Sequence, residues 1–121
     1  MIRLVFCLRR REDLSPQQFR QYWRERHGPL VRHHAAVLGI RRYVQVQRID
    51  GPENDLLRAS RASAEPFDGI AELWFDSVAS FLEAARSDGG SAAAEELLVD
   101  ERRFIDLARS NLWLGDEQVL V

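Results

Sequence analysis

One histidine stands where an ordinary core has no use for it. Phe19, Tyr22, Trp23, His27 and Leu30 recur at helical spacing and make one apolar stripe, while Arg20, Arg24 and Glu25 fall off it. His27 follows Trp23 by one turn on that stripe. An imidazole titrates near 6.5, so it gives or takes a proton at neutral pH with little tuning. A general acid or base beside an apolar pocket is the chemical reading. The structural reading is a histidine that caps carbonyls near a helix end, where a cation is favoured.

A second group of candidates lies on alternating segments. Glu72 sits between Ile70 and Trp74, and burying a carboxylate is costly without a partner. It could orient His27 or serve as a second acid–base group; equally it could pair with an arginine such as Arg42 across a sheet. Tyr43 and Gln45 share a strand face and suit a carbonyl or phenol, or else fill an interface, where Tyr is common. Asp68 is a binding candidate or a turn residue beside Gly69. Trp23 and Trp74 suit an aromatic ligand, or simply belong to the core.

Other chemistries lack their residues. His33 and His34 are adjacent, so on a helix they diverge by about 100° and share a metal poorly. No His-Glu-x-x-His, Gly-x-Gly-x-x-Gly or phosphate-cradling loop occurs. Ser60 and Ser63 lack a nucleophile elbow. All 17 basic residues are arginine, so a lysine Schiff base is impossible. Cys7 is the only cysteine, which forbids an intrachain disulfide and argues against a thiolate metal site. No metal, nucleotide or haem is expected as a required component.

The elements that must position these groups follow in order. Ile2–Leu8 alternates and reads as a strand, with Ile2, Leu4, Phe6 and Leu8 on one face. Arg9-Arg10-Arg11-Glu12-Asp13 is a charged corner facing water. Ser15, Pro16 and Gln18 then write a helix entry, and Gly28-Pro29 predicts its end. A short segment spans 31–38 before Gly39, and 40–49 reads as a second strand. Residues 50–66 show little periodicity and are expected to form a long loop, arm or lid outside the core. A third strand over 67–75 leads to a helix capped by Asp76-Ser77. Asp88-Gly-Gly-Ser91 is expected to break that helix, with another over 92–103 and a fourth strand over 110–114.

Strand, helix, strand, strand, helix, strand is the ferredoxin-like βαββαβ order of an α+β fold. Right-handed crossovers put both helices on one face of a four-stranded antiparallel sheet. The opposite face then still carries apolar groups from every strand, whichever face the helices take. A second copy of the chain is the economical cover, so a homodimer closed sheet against sheet is expected.

At 121 residues, 45% hydrophobic and 30% charged, the chain fits a single globular domain over 1–121. A net charge of -2 gives no long-range pull on nucleic acid or anionic lipid. The stretch Met1–Arg9 is too short and too interrupted by Arg3 to read as a signal peptide, and no apolar run has membrane-spanning length. A cytoplasmic location is expected.

Phe19-x-x-Tyr22-Trp23-x-x-x-His27-Gly28-Pro29-Leu30, Tyr43-Val-Gln45, Asp68-Gly-Ile-Ala-Glu72-Leu-Trp74-Phe75 and Asp100-Glu101-x-x-Phe104-Ile-Asp106 together resemble the EthD family. The resemblance runs over nearly the whole chain, apart from 50–66. It implies the dimeric α+β barrel fold, in agreement with the strand order. The family is named for a protein of ethyl tert-butyl ether degradation. Its wider superfamily includes cofactorless monooxygenases, muconolactone isomerases and polyketide cyclases, and fungal EthD-domain proteins include dehydratase- and decarboxylase-like enzymes. Fold analogy of this kind does not transfer chemistry.

Two function classes follow, with a third beside them. The first is a cofactor-free enzyme acting on a hydrophobic aromatic or polyketide-like molecule, in secondary metabolism or xenobiotic degradation. Its chemistry would be isomerisation, cyclisation, dehydration, decarboxylation or oxygen insertion. The second is a non-catalytic dimer that binds such a molecule. The third is a structural dimer with a filled interior. A cavity between helices and sheet, reached by His27, separates the first two from the third.

Overall fold

The computed structural model describes residues 1–121. Four strands, β1 (Ile2–Leu8), β2 (Arg42–Gln47), β3 (Gly69–Phe75) and β4 (Asn111–Asp116), form one antiparallel sheet in the order β2-β3-β1-β4. Five helices accompany them: α1 (Pro16–Tyr22), α2 (Gly28–Leu38), α3 (Pro52–Arg61), α4 (Val78–Arg86) and α5 (Asp88–Glu101). The ferredoxin-like arrangement expected from the strand and helix order is present.

Strand alternation decides which side chains meet the helices. Leu4, Phe6 and Leu8 of β1 pair with Leu73, Ala71 and Gly69 of β3, and this face carries the core with Phe19, Trp23, Val31 and Leu97. Phe104 and Ile105, just after α5, complete it and are almost fully buried.

The first helix enters as its sequence prescribes. Ser15 accepts from the Gln18 N–H at 3.0 Å, and Gln18 Oε1 accepts from the Ser15 N–H at 2.8 Å. It does not stop at Gly28-Pro29. Trp23–His27 forms a π turn, and the chain runs on as α2 to Leu38. Pro29 has no N–H to give to the carbonyl four residues back. The π turn moves that irregularity to its own end, where Gly28 N–H bonds Trp23 O, and leaves Pro29 in the first turn of α2, where proline is tolerated.

Two other expectations change. Asp88-Gly-Gly-Ser91 opens α5 instead of interrupting a helix, because Ser87 caps it by accepting from Gly90 N–H at 3.0 Å. Gly90 is there for space: a Cβ would fall 1.7 Å from the Ala84 carbonyl oxygen of α4. Residues 50–66 are not a loop throughout, since α3 occupies most of them. It buries none of its residues, and Leu56 and Leu57 are 70% and 61% exposed, so it does lie outside the core.

The far face of the sheet carries Arg3, Val5, Cys7, Val44, Val46, Ile70, Glu72, Trp74 and Trp113. No helix covers it. Val46 is 48% exposed and Trp113 is 50% exposed. No helix of the chain is long and apolar enough to cross a membrane.

Candidate active site

The continuous α1–π–α2 rod aims His27 inward. The imidazole is 6% exposed and rests against Phe104, with ring centroids 4.9 Å apart. Its Nδ1 lies 2.8 Å from Asp100 Oδ2 on α5. Asp100 is itself buried. Its other oxygen accepts from the Tyr22 hydroxyl at 2.5 Å and from Arg103 Nη1 at 3.1 Å. The carboxylate is therefore held from three sides, which is the condition for keeping a charge inside a protein.

The electrostatics follow from these contacts. Burial raises the Asp100 carboxyl, but the Tyr22 hydroxyl, His27 and Arg103 outweigh it and hold the group below the usual range. Burial pushes His27 down, against the opposing pull of Asp100, so the ring is neutral at pH 7. A neutral ring beside a carboxylate places its proton on Nδ1, donated to Asp100. Nε2 then carries the lone pair. It makes no hydrogen bond in the protein and is not sealed off, since Arg3 Nε is the one buried side-chain polar atom without a partner.

A cavity of about 200 Å³ lies between sheet and helices. Of its 19 lining residues, 17 are hydrophobic, and the other two are His27 and Glu101. The walls come from Leu4, Phe6 and Leu8, from Leu73 and Phe75, and from Val31, Phe81 and Leu97. Burial, with the adjacent charge of Asp100, pushes the Glu101 carboxyl up to about 7. An apolar chamber thus holds one basic nitrogen and one carboxyl that changes state near neutrality.

The other predicted residues divide between the two sides of the sheet. Trp23 and Tyr43 line the cavity. Gln45 braces it from behind, donating from Nε2 to Trp23 O and to the Tyr43 hydroxyl, both at 2.8 Å. Gly28 leaves it room: a Cβ there would lie 3.1 Å from Gln45 Nε2, close enough that the amide would have to shift slightly. Burial raises the Tyr43 phenol above its ordinary value.

Glu72 and Trp74 do not meet His27. They point to the far face, where Glu72 Oε1 accepts from Arg3 Nη1 at 3.0 Å and Trp74 Nε1 donates to Glu117 at 2.7 Å. The partner of Glu72 is Arg3, not Arg42, which instead stacks over Trp74. Asp68 is also remote: it accepts from Arg10 N–H at 2.9 Å and lies 3.6 Å from Arg48 Nη2, closing the β1–β3 corner.

Asp100 and Glu101 were absent from the sequence-derived site, although they open the last stretch of the EthD resemblance. Ala93, Leu97, Asp100 and Phe104 fall at intervals of four, three and four, so one carboxylate occupies the buried stripe of α5. That spacing is the signal that marks it. No three or more His, Cys, Asp and Glu side chains converge to hold a metal ion.

The EthD domain model matches residues 11–108. No curated protein sequence matches the chain significantly. Among solved structures, an EthD family protein of Bacillus halodurans C-125 is similar at a TM-score of 0.65 and 22% identity, covering 98% of this chain and 99% of that one. A Bacteroides fragilis protein, described as dimeric with a ferredoxin-like fold, has a TM-score of 0.59 at 9% identity, over 96% and 95% of the two chains. A hydroxynitrile lyase from Passiflora edulis has a TM-score of 0.55 at 19% identity, over 98% and 96%. At such identities the solved structures speak for the fold alone. The family model spans His27, the strand carrying Tyr43 and Gln45, and the Asp100-Glu101 helix end, and on that match the chain belongs to the EthD family.

Proposed function

We propose that the chain is an acid–base enzyme acting on a small apolar molecule, using His27 as base and Glu101 as proton donor. One observation carries the reading: an otherwise hydrophobic cavity has His27 and Glu101 as its non-hydrophobic lining. A chamber with a few convergent polar groups and perturbed titration is the form an active site takes.

Its chemistry would run in two proton movements. The Nε2 lone pair of His27 removes a proton from a C–H or O–H of the bound molecule, and Asp100 stabilises the imidazolium that results. Protonated Glu101 supplies a proton to the atom where negative charge collects. The pair ends as imidazolium and carboxylate, and one proton passed between them or through solvent restores it. Isomerisation, dehydration, decarboxylation and lyase reactions all use this exchange. The Passiflora neighbour supports the reading only in that the same fold houses a lyase in that protein.

Size narrows the substrate. A cavity of about 150 Å³ is enough to hold benzene, so about 200 Å³ accommodates one substituted ring better than a multi-ring polyketide. We further propose that the active form is a homodimer closed over the far face. The exposed Val46 and Trp113 and the dimeric Bacteroides neighbour support this.

The test begins with single-ring phenols, ketones and hydroxynitriles screened for thermal stabilisation, because a ligand that binds only the native state raises its stability. His27→Gln is then assayed on whichever compound is turned over. It keeps hydrogen bonding but cannot shuttle protons near pH 7. A loss of about a hundredfold or more is expected, with folding intact. Turnover at the wild-type rate would end the acid–base role of His27.

A further inference from the structure

A second concavity adjoins the cavity at the β2 edge. It is an open groove of about 410 Å³ between α2 and the edge strand, and it carries Arg24, Arg32, Arg41 and Arg42 with no acidic residue in its lining. Ile40 and Tyr43 line both spaces, so the groove and the apolar chamber share a wall.

The state of the four guanidinium groups matters. Arg41 is engaged by Asp76, with Nη2 to Oδ2 at 2.7 Å. Arg24 reaches Glu25 at 3.4 Å, both side chains being more than half exposed, so that pair is weak. Arg42 rests over the Trp74 ring, its Cζ 4.8 Å from the centroid, and Arg32 has no carboxylate within 4.0 Å. Arg42 is thus turned toward Trp74 on the far face and Arg41 is neutralised, which leaves Arg32 without an acidic partner and Arg24 only weakly held beside the groove. Guanidinium groups are planar forks matched to carboxylate and phosphate oxygens.

We propose that this groove is the subsite for an anionic group, carboxylate or phosphate, borne by the same molecule whose apolar part occupies the cavity. The inference rests on the cavity being a ligand site, and adds that the ligand is amphiphilic: a ring for the chamber and an anion for the arginines, joined by a short spacer around Tyr43.

A matched pair of probes tests it. Titration calorimetry compares 3-phenylpropionate with 3-phenylpropan-1-ol, and inorganic phosphate alone, against wild type and the Arg24→Gln/Arg32→Gln double variant. Both positions are exposed on the helical rod, so folding should survive. Wild type should bind the acid roughly tenfold tighter than the alcohol, the contribution of about one charge-assisted hydrogen bond. The double variant should bind the two alike, with alcohol affinity unchanged, and added salt should shrink the wild-type preference. Equal binding of acid and alcohol by wild type overturns the anionic subsite and leaves the cavity reading standing. Phosphate binding that depends on Arg24 and Arg32, without any preference for the acid, overturns the bridging ligand in favour of a separate anion. Neither phenyl probe binding overturns both readings together.

Discussion

Asp100 Oδ2 lies 2.8 Å from His27 Nδ1, and Asp100 Oδ1 is occupied by Tyr22 and Arg103. The carboxylate thus selects the tautomer as well as the position of the ring. Asp100→Asn separates these roles. The amide oxygen can keep Tyr22 and Arg103, but its NH₂ then faces His27 and draws the proton to Nε2. The lone pair would leave the cavity side. Turnover should fall on the order of a hundredfold or more with the ring still in place. Nitrogen NMR of the imidazole should report the switch of protonated nitrogen. An unchanged tautomer would mean that Asp100 does not set it.

Asp100→Ala asks a different question. It leaves the Tyr22 hydroxyl and His27 without their shared acceptor in the interior, and breaking such a buried network costs about 3 kcal/mol or more. Urea unfolding should show the midpoint moving down without a change of slope.

Glu101 gives a pH signature. Its carboxyl is raised to about 7 in the fold, above the unfolded value, so the native state binds more protons between roughly pH 4.5 and 7. Stability on this account is fully present below that window and lost as pH rises through it. Glu101→Gln removes the loss. The variant should gain on wild type by roughly 2 kcal/mol between pH 5 and pH 8. Activity should mirror this. The acidic limb belongs to His27, whose lowered titration leaves it neutral through the upper acidic range, and the alkaline limb to Glu101. Glu101→Gln cannot donate the proton, so its turnover should fall and the residual rate should lose the alkaline limb; a limb that persists assigns it to another group.

Part of this site is legible in the sequence and part is not, for physical reasons. The stripe from Phe19 to His27 repeats with the helix, and periodicity is a local property. Strand alternation likewise separates Glu72 and Trp74 from Leu73 and Phe75. Which of those faces meets the helices depends on packing between distant elements, and the third strand alone is apolar both ways. Glu72 was therefore a reasonable partner for His27 and proves to belong to Arg3. Asp100 hides for another reason: among Glu101, Arg102 and Arg103 it reads as a solvated helix end. Its partners Tyr22 and His27 lie 78 and 73 residues away. Pro29 misled because a single π turn absorbs what proline normally breaks.

The reassignment of Glu72 can be tested directly. Glu72→Gln removes a charge from the far face and nothing from the cavity. Activity should stay within about twofold of wild type, since a partly exposed ion pair contributes little. A loss comparable to that of His27→Gln would reconnect Glu72 to the chemistry and contradict the two-sided sheet.

The far face supplies the remaining prediction. Val5, Val44 and Trp113 lie in one row with Glu72, and Val46, Ile70 and Cys7 follow one another across the next. Those rows leave Val46 and Trp113 about half exposed, and Leu112 and Leu114 on the other side of β4 are partly exposed as well. A strand apolar on both sides at the sheet edge is an association surface. A partner sheet laid across it should bury more than about 1,000 Å², enough for a stable dimer. Light scattering should give a mass of twice 14.0 kDa at micromolar concentration. Trp113→Glu puts a charge opposite Val5, where it would have to be desolvated, and should shift that mass toward the monomer. The cavity lies on the helix side, so the dissociated variant should keep its ligand-induced thermal shift. A wild-type chain that scatters as a monomer at every concentration would mean that the exposed row has some other cover or none.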